Sequence, residues 1–387
     1  MKSPLPISGL LALAMTGFIA IMTETLPAGL LPQISHGLNI SPSFAGQLVT
    51  SYALGSLLAA IPLTALTRRW RRRSALLAAI LGFLAFNTLT ALSSDLIVIM
   101  TARFMAGAAA GLAWGLLAGY ARRMVPPQLQ GRAMAVAMIG APVALAIGLP
   151  LGTWLGGQLN WQMVFGLMSL LTVLLVGWVM LKVPDFPGQL SQEGQPVSKV
   201  LTTPGLRPIL FVIVVWVLAH NILYTYITPL LAPAGLTAQV DSVLLVFGLS
   251  ALGGIWLVGV VVDRWLRRAV LLSLAGFALA VLAWGVSGSS PLVVYASMTL
   301  WGLTFGGAPA LLQTASADAA GVDADVAQSM IVVAWNLAIA GGGITGGLLL
   351  QNVGIGAFPW TVLALLITGL FTVWGARTHG FTSGTRG

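Results

Sequence analysis

Inside the first long apolar run of the chain stands Thr23-Glu24-Thr25-Leu26-Pro27, a carboxylate with no other charge near it in sequence. An ion at that depth in a bilayer is expensive, and those that occur mark ion or substrate pathways. Glu24 is therefore read as a proton-handling group. The other acidic residues fall in links or at the ends of apolar runs, and Arg103 alone among the 18 Lys and Arg lies inside one. If the first run ends near Pro32 and the fourth begins near Asp95, Glu24 and Arg103 each stand eight residues from the same edge. At about 1.5 Å per residue that is roughly 12 Å for both. The two lone charges share a level, although this arithmetic does not make their helices face each other. Desolvation favours a neutral carboxyl, while a nearby guanidinium favours the carboxylate. A site that opens to each side in turn changes both influences, and exchange of a proton for a solute needs such a change. The bland alternatives are a structural ion pair, or an Arg103 that serves mainly to position Glu24 or a backbone carbonyl.

His220 is the next candidate. It lies 12 residues past Pro208, about 18 Å into its run. Imidazole titrates near neutral pH, so substrate contact, a proton relay and a hydrogen-bonded neutral ring all stay open. A cavity with apolar walls and a few polar points is expected around these groups. Its candidate lining is Tyr52, Trp114, Asn221, Tyr224, Tyr226, Trp301, Gln313, Trp335 and Asn336. The amides are the stronger candidates, because an unpaired amide in apolar surroundings is costly. For the aromatics, packing or interfacial anchoring weighs at least as much.

The elements that must position these groups follow from composition. Of 387 residues 58% are hydrophobic and 7% charged, against about 25% charged in an ordinary soluble chain. A membrane helix needs about 20 apolar residues. Twelve runs qualify, near 7–31, 43–66, 74–93, 96–121, 131–155, 162–183, 208–231, 241–262, 269–287, 291–316, 325–350 and 357–376. The fifth and sixth, and the ninth and tenth, are joined closely enough to form antiparallel hairpins. Counted from an inside N-terminus, every Lys and Arg except Arg103 falls on one side, which places both termini in the cytoplasm. The net charge of +9 is thereby read as a topology signal, not as a nucleic-acid surface. Cysteine is absent, excluding disulfides and thiolate metal sites. The first run is too long for a signal peptide and carries Glu24. The stretch Pro184–Pro208 reads as a flexible connector without chemistry. It gives a bundle over 1–183, a cytoplasmic linker over 184–207 and a second bundle over 208–387.

The halves echo one another. Arg68-Arg69-Trp70-Arg71-Arg72-Arg73 follows the second run, and Asp263-Arg264-Trp265-Leu266-Arg267-Arg268 the eighth. Related halves with a site between them are a common transporter plan. Here the sequence resembles the major facilitator superfamily, and within it the twelve-helix drug:proton antiporters that export sugars, nucleosides and chloramphenicol-type drugs. The resemblance rests on four motifs. The loop signature is Gly259 to Arg268, with Gly259, Asp263, Arg264, Arg267 and Arg268 in place and Leu266 replacing an inner glycine; in the first half Leu63, Thr67 and Trp70 replace a glycine, the aspartate and a second glycine. The helix 4 signature is Arg103-Phe104-Met105-Ala106-Gly107. The antiporter signature is Gly140 with Gly148, Pro150 and Gly152, Leu149 interrupting the usual pair. The last is His220 to Pro229 together with Trp301-Gly302-Leu303-Thr304-Phe305. The resemblance implies that the loop is a cytoplasmic gating latch, that helices 1 and 4 line a central cavity, and that the antiporter helix limits proton leak.

Glycines punctuate these runs. Gly107, Gly111, Gly115 and Gly119 form one smooth face for close helix approach, Gly341–Gly343 with Gly346 and Gly347 another, and Pro142 and Pro150 should kink their helix. The expected protein is all-α: twelve transmembrane helices in two six-helix bundles of the major facilitator fold, a monomer in a bacterial-type inner membrane. It would exchange protons for small organic solutes by alternating access. It needs no cofactor, metal or nucleic acid, and no phosphate-binding loop for ATP is present. A facilitator or proton symporter on the same fold, a membrane enzyme and a sensor without transport are the rivals. Asp318, Asp323 and Asp325 read as a solvated link.

Overall fold

The computed structural model describes residues 5–67, 69–126, 129–188, 203–320 and 324–381, and not the side chains of Ile61, Gln130, Asp263, Ala324, Asp325, Val326, Gln328 and Ser329. Expectations for Arg68 and Asp323 also fall outside the described residues.

Apolar runs with no strand pattern fold as helices because a bilayer leaves the backbone no partner but itself. The helices are α1 (Ile7–Gly29), α2 (Leu31–Leu38), α3 (Pro42–Leu66), α4 (Arg72–Leu92), α5 (Leu96–Arg123), α6 (Gln130–Met138), α7 (Gly140–Val143), α8 (Leu149–Gln158), α9 (Trp161–Lys182), α10 (Leu206–Thr225), α11 (Ile227–Leu231), α12 (Val240–Ser287), α13 (Pro291–Gly306), α14 (Ala308–Ala320), α15 (Ala324–Asn352) and α16 (Ala357–Gly375). Asp95 caps α5 by accepting from the amides of Ile97 and Val98, at 2.8 and 3.0 Å. Asn160 caps α9 through the amide of Met163, at 2.8 Å.

Among the described residues 11 helices are long and apolar enough to span a bilayer. The tenth expected span, 291–316, is interrupted at Gly307, which leaves α13 and α14 each too short alone. The seventh breaks at Tyr226 (φ −112°, ψ 31°), three residues before Pro229, which has no amide hydrogen to continue the ladder. The eighth and ninth run on as α12, divided by the non-helical backbone of Trp265. The kink expected from Pro142 and Pro150 takes the form of a π-helical stretch, Ala144–Gly148, between α7 and α8.

Contacts divide the chain into two units, Met1–Ile40 with Ser51–Gln192 and Ser41–Thr50 with Glu193–Gly387. In the first, glycines let backbones meet. A Cβ on Gly107 would overlap the Tyr52 carbonyl, and one on Gly140 the Ala14 carbonyl. Gly148 and Gly152 face Met22 and Leu26, about two and three turns further along α1. The antiporter-type segment thus lies directly on the helix that carries Glu24. In the second unit, Gly342 and Gly346 of α15 face Asn221 and Tyr226.

The connector after α9 does not begin as the free linker expected. Pro184 to Gly188 form a strap across the Arg-rich link. The Phe186 carbonyl accepts from the Arg72 amide at 2.8 Å. Asp185 pairs with Arg71 and accepts from the Arg73 amide at 3.1 Å. The Pro184 carbonyl accepts from the Tyr120 hydroxyl at 2.7 Å, and the Phe186 ring stands edge-on to Tyr120 at 5.6 Å.

Candidate functional site

Pro27 sets the geometry around Glu24. It sits inside α1 and has no amide hydrogen, so the carbonyl four residues back, that of Thr23, has no helical donor. Arg103 supplies one: its Nη2 donates to the Thr23 carbonyl oxygen. The Arg103 side chain is fully buried. Its guanidinium lies 5.1 Å from the centre of the Tyr52 ring and 5.6 Å from that of Phe165, faces that attract a cation. The Tyr52 hydroxyl donates to the Ala20 carbonyl at 2.9 Å, binding α3 to α1 one turn before Thr23. Asn87 of α4, also fully buried, donates from Nδ2 to the Thr23 hydroxyl at 2.8 Å.

Glu24 is partly buried in this cluster. Among the described residues no carboxylate comes within 4 Å of the Arg103 guanidinium, so the structural ion pair weighed above is not formed. Arg103 Nε and Nη1 and Asn87 Oδ1 are buried without partners. The cluster therefore holds two uncommitted donors beside a carboxyl group. Such an arrangement can accept a carboxylate when the proton leaves, and release it when the proton returns.

His220 belongs to the second unit. It stacks face to face on Phe305, ring centres 3.7 Å apart at 4°. Tyr224 and Trp301 lie 4.8 and 5.2 Å from it. Phe247 packs on Trp301 at 4.8 Å and Phe277 stacks on it at 5.4 Å. His220 Nδ1 and the indole nitrogens of Trp216 and Trp301 are buried without partners. Trp335 sits at the edge, 6.5 Å from Phe305.

The remaining lining candidates scatter. Tyr52 is fully buried and serves the Arg103 cluster instead of opening on a cavity. Trp114 packs near Gly17 of α1. The amides of Asn221 and Asn336 turn back onto their own helices, to the carbonyls of Val217 and Val332, both at 2.9 Å. Gln313 is exposed. The Tyr226 hydroxyl donates to the Gly343 carbonyl at 2.8 Å and receives Gln47 Nε2 at 3.1 Å. In the second-half loop, Arg267 donates to the Trp374 carbonyl at 3.0 Å, capping α16. Arg264 and Arg268 are exposed, and Gly259 faces open space. In the first half Thr67 stands where the aspartate is missing and bonds its own helix at Leu63, while Asp185 brings a carboxylate from the strap. Asn87, Phe165, Phe247, Phe277 and Trp216 are not singled out by the sequence, and Phe305 enters only as the last residue of a motif. Asn87 had a signal, a lone amide in an apolar run. The Phe residues had none.

Eleven helices long and apolar enough to span a bilayer among the described residues, in two units, with Arg103 fully buried and Glu24 partly buried in the first, are the build of a multi-pass membrane protein, and the family and relatives it matches are transporters, not enzymes. The chain belongs to the major facilitator superfamily, whose family model matches residues 13–342. A chloramphenicol efflux pump of Mycobacterium tuberculosis is 27% identical over 382 residues, covering 96% of this chain and 90% of the pump. A purine ribonucleoside efflux pump, NepI, of Shigella dysenteriae is 29% identical over 343 residues, covering 87% and 86%. The crystal structure of the human organic anion transporter MFSD10 (TETRAN) matches with a TM-score of 0.69 at 18% identity, over 96% of this chain and 100% of that one. At that identity the likeness shows the fold.

Proposed function

We propose that this chain is a proton-coupled antiporter that exports small organic solutes, acting as a monomer in a bacterial inner membrane with both termini in the cytoplasm. The observation that carries the reading is the cluster at Thr23, where Arg103 holds the carbonyl freed by Pro27 and keeps Nε and Nη1 uncommitted beside Glu24. A proton arriving from outside neutralises Glu24. Its loss to the cytoplasm lets the carboxylate take the spare donors of Arg103. Each protonation state thus favours a different arrangement of α1 against α5, and alternating access follows from the difference. The curated relatives are efflux pumps for chloramphenicol and for purine ribonucleosides, which supports uncharged, ring-bearing solutes of that size as cargo. For one-for-one exchange, a difference of one pH unit sustains about a tenfold solute gradient.

The test is transport in proteoliposomes with chloramphenicol, inosine and a panel of sugars, with and without a pH gradient. Wild type should accumulate at least one solute against its gradient when the lumen is made acidic. Glu24→Gln should lose that accumulation and keep counterflow in the absence of a gradient. Full pH-driven transport by Glu24→Gln would remove the reading.

A further inference from the structure

We propose that Asn87 is a positioning residue for Glu24: acting through Thr23, it fixes the stretch of α1 that presents the carboxyl group. Thr23 immediately precedes Glu24 and is held twice. Arg103 of α5 takes its main-chain carbonyl, and Asn87 of α4 takes its side-chain hydroxyl at 2.8 Å. The two holds come from different helices and act on different atoms of one residue, the main-chain carbonyl and the side-chain hydroxyl. Together they fix both the backbone and the side chain of Thr23. The residue they fix is the one whose rotation would swing Glu24 toward or away from Arg103 Nε and Nη1.

Packing does not explain the choice of residue. Asn87 is fully buried, and its Oδ1 has no partner. A buried amide with an unsatisfied oxygen is costly, and an apolar side chain of the same size would avoid the cost. The segment pays this cost at one position of α4, opposite the residue before the lone carboxyl. Of the ionisable groups around the site, Arg103 from α5 acts on Glu24, and Tyr52 from α3 lies against Arg103, its ring centre 5.1 Å from the guanidinium. Asn87 carries no charge, so its influence runs through geometry.

The inference rests on the proton-coupling reading for its purpose but is tested without transport. Infrared spectroscopy of the reconstituted full-length chain follows the carboxyl C=O stretch as pH is varied, with the Glu24 band assigned by difference from Glu24→Gln. Asn87→Leu removes the hydrogen bond at similar volume. Thr23→Val removes the same bond from the other side, and Thr23→Ser keeps it. Asn87→Leu and Thr23→Val should each move the midpoint of the Glu24 band by tenfold or more in proton affinity, the double variant should go no further, and Thr23→Ser should stay within twofold of wild type. Midpoints within twofold of wild type in Asn87→Leu and Thr23→Val would overturn the proposal. Should Asn87→Leu fail to fold, Thr23→Val decides by the same criterion. Unmoved midpoints alongside proton-driven solute exchange would defeat this inference and leave the antiport reading intact. Moved midpoints without such exchange would do the reverse.

Discussion

Pro27 and Arg103 meet at one carbonyl. The proline withholds the amide hydrogen that the Thr23 oxygen would accept within α1, and Arg103 Nη2 replaces it from α5. The arrangement makes the two residues thermodynamically coupled. Pro27→Ala restores a helical donor, so the bond from Arg103 becomes redundant. A double-mutant cycle of Pro27→Ala and Arg103→Met, read by thermal unfolding in detergent, should return a coupling of about 1 kcal/mol. Strict additivity would mean that the carbonyl is not shared.

The glycines facing α1 differ in what stands opposite them. At Gly140 a new Cβ would meet backbone, the Ala14 carbonyl and the Phe18 amide. At Gly148 it would meet the Met22 sulfur at 2.6 Å and the Phe18 ring at 2.8 Å, both ends of side chains. Backbone cannot yield and side chains can. Gly140→Ala should therefore lose about 1–3 kcal/mol, and Gly148→Ala clearly less. Equal losses in thermal unfolding would count against this packing of the antiporter-type segment on the helix of Glu24.

The strap makes a pH-dependent contribution at the Arg-rich end of the first unit. Partial burial pushes the Asp185 carboxyl up, but the hydrogen bonds from Arg71 and the Arg73 amide, with the charges of both arginines, hold it below the ordinary carboxylate range. A group whose value is lowered by folding stabilises above its unfolded value, near about 4, and that stabilisation fades as pH falls through the folded value. Arg71 is 69% exposed, so the pair is worth a few tenths of a kcal/mol up to about 1. Asp185→Asn should lower thermal stability by that much at pH 7, with the gap to wild type closing below about pH 4. A gap that is constant down to pH 3 would show that the carboxylate plays no part.

Much of this was open to reading from residues alone, because length and charge decide it. Twelve apolar runs cannot avoid being helices in lipid, and Glu24 and Arg103 share a depth by arithmetic. The target of Arg103 was half legible, since Pro27 and Thr23 are four residues apart and the freed carbonyl follows. A backbone carbonyl was one partner open to Arg103 from the sequence and Glu24 the other; the structure makes the first bond and not the ion pair. The strap was misread because its contacts run through the carbonyls of Pro184 and Phe186, which no residue type advertises. The cluster of Phe247, Phe277, Trp301 and Phe305 was illegible for another reason. Helices that are apolar all round carry no stripe to say which face meets which neighbour. Gly307 and Tyr226 broke spans that counting alone had kept whole.

His220 presents the last choice, between packing and contact with solute. Its ring lies flat on Phe305 at 3.7 Å, a position phenylalanine fills equally well, and its Nδ1 is buried without a partner. Replacing the ring by one with no nitrogen removes an unsatisfied polar atom, so His220→Phe should hold or gain stability by up to about 1 kcal/mol. If the polar edge of the ring serves the solute, the same variant should weaken solute binding about tenfold, or about 1.4 kcal/mol, seen as a raised half-saturation concentration in counterflow. The two readouts move in opposite directions only when the nitrogen works on cargo. A variant that is stable and exchanges solute with wild-type affinity would assign His220 to the aromatic packing of the second unit and take it out of the site.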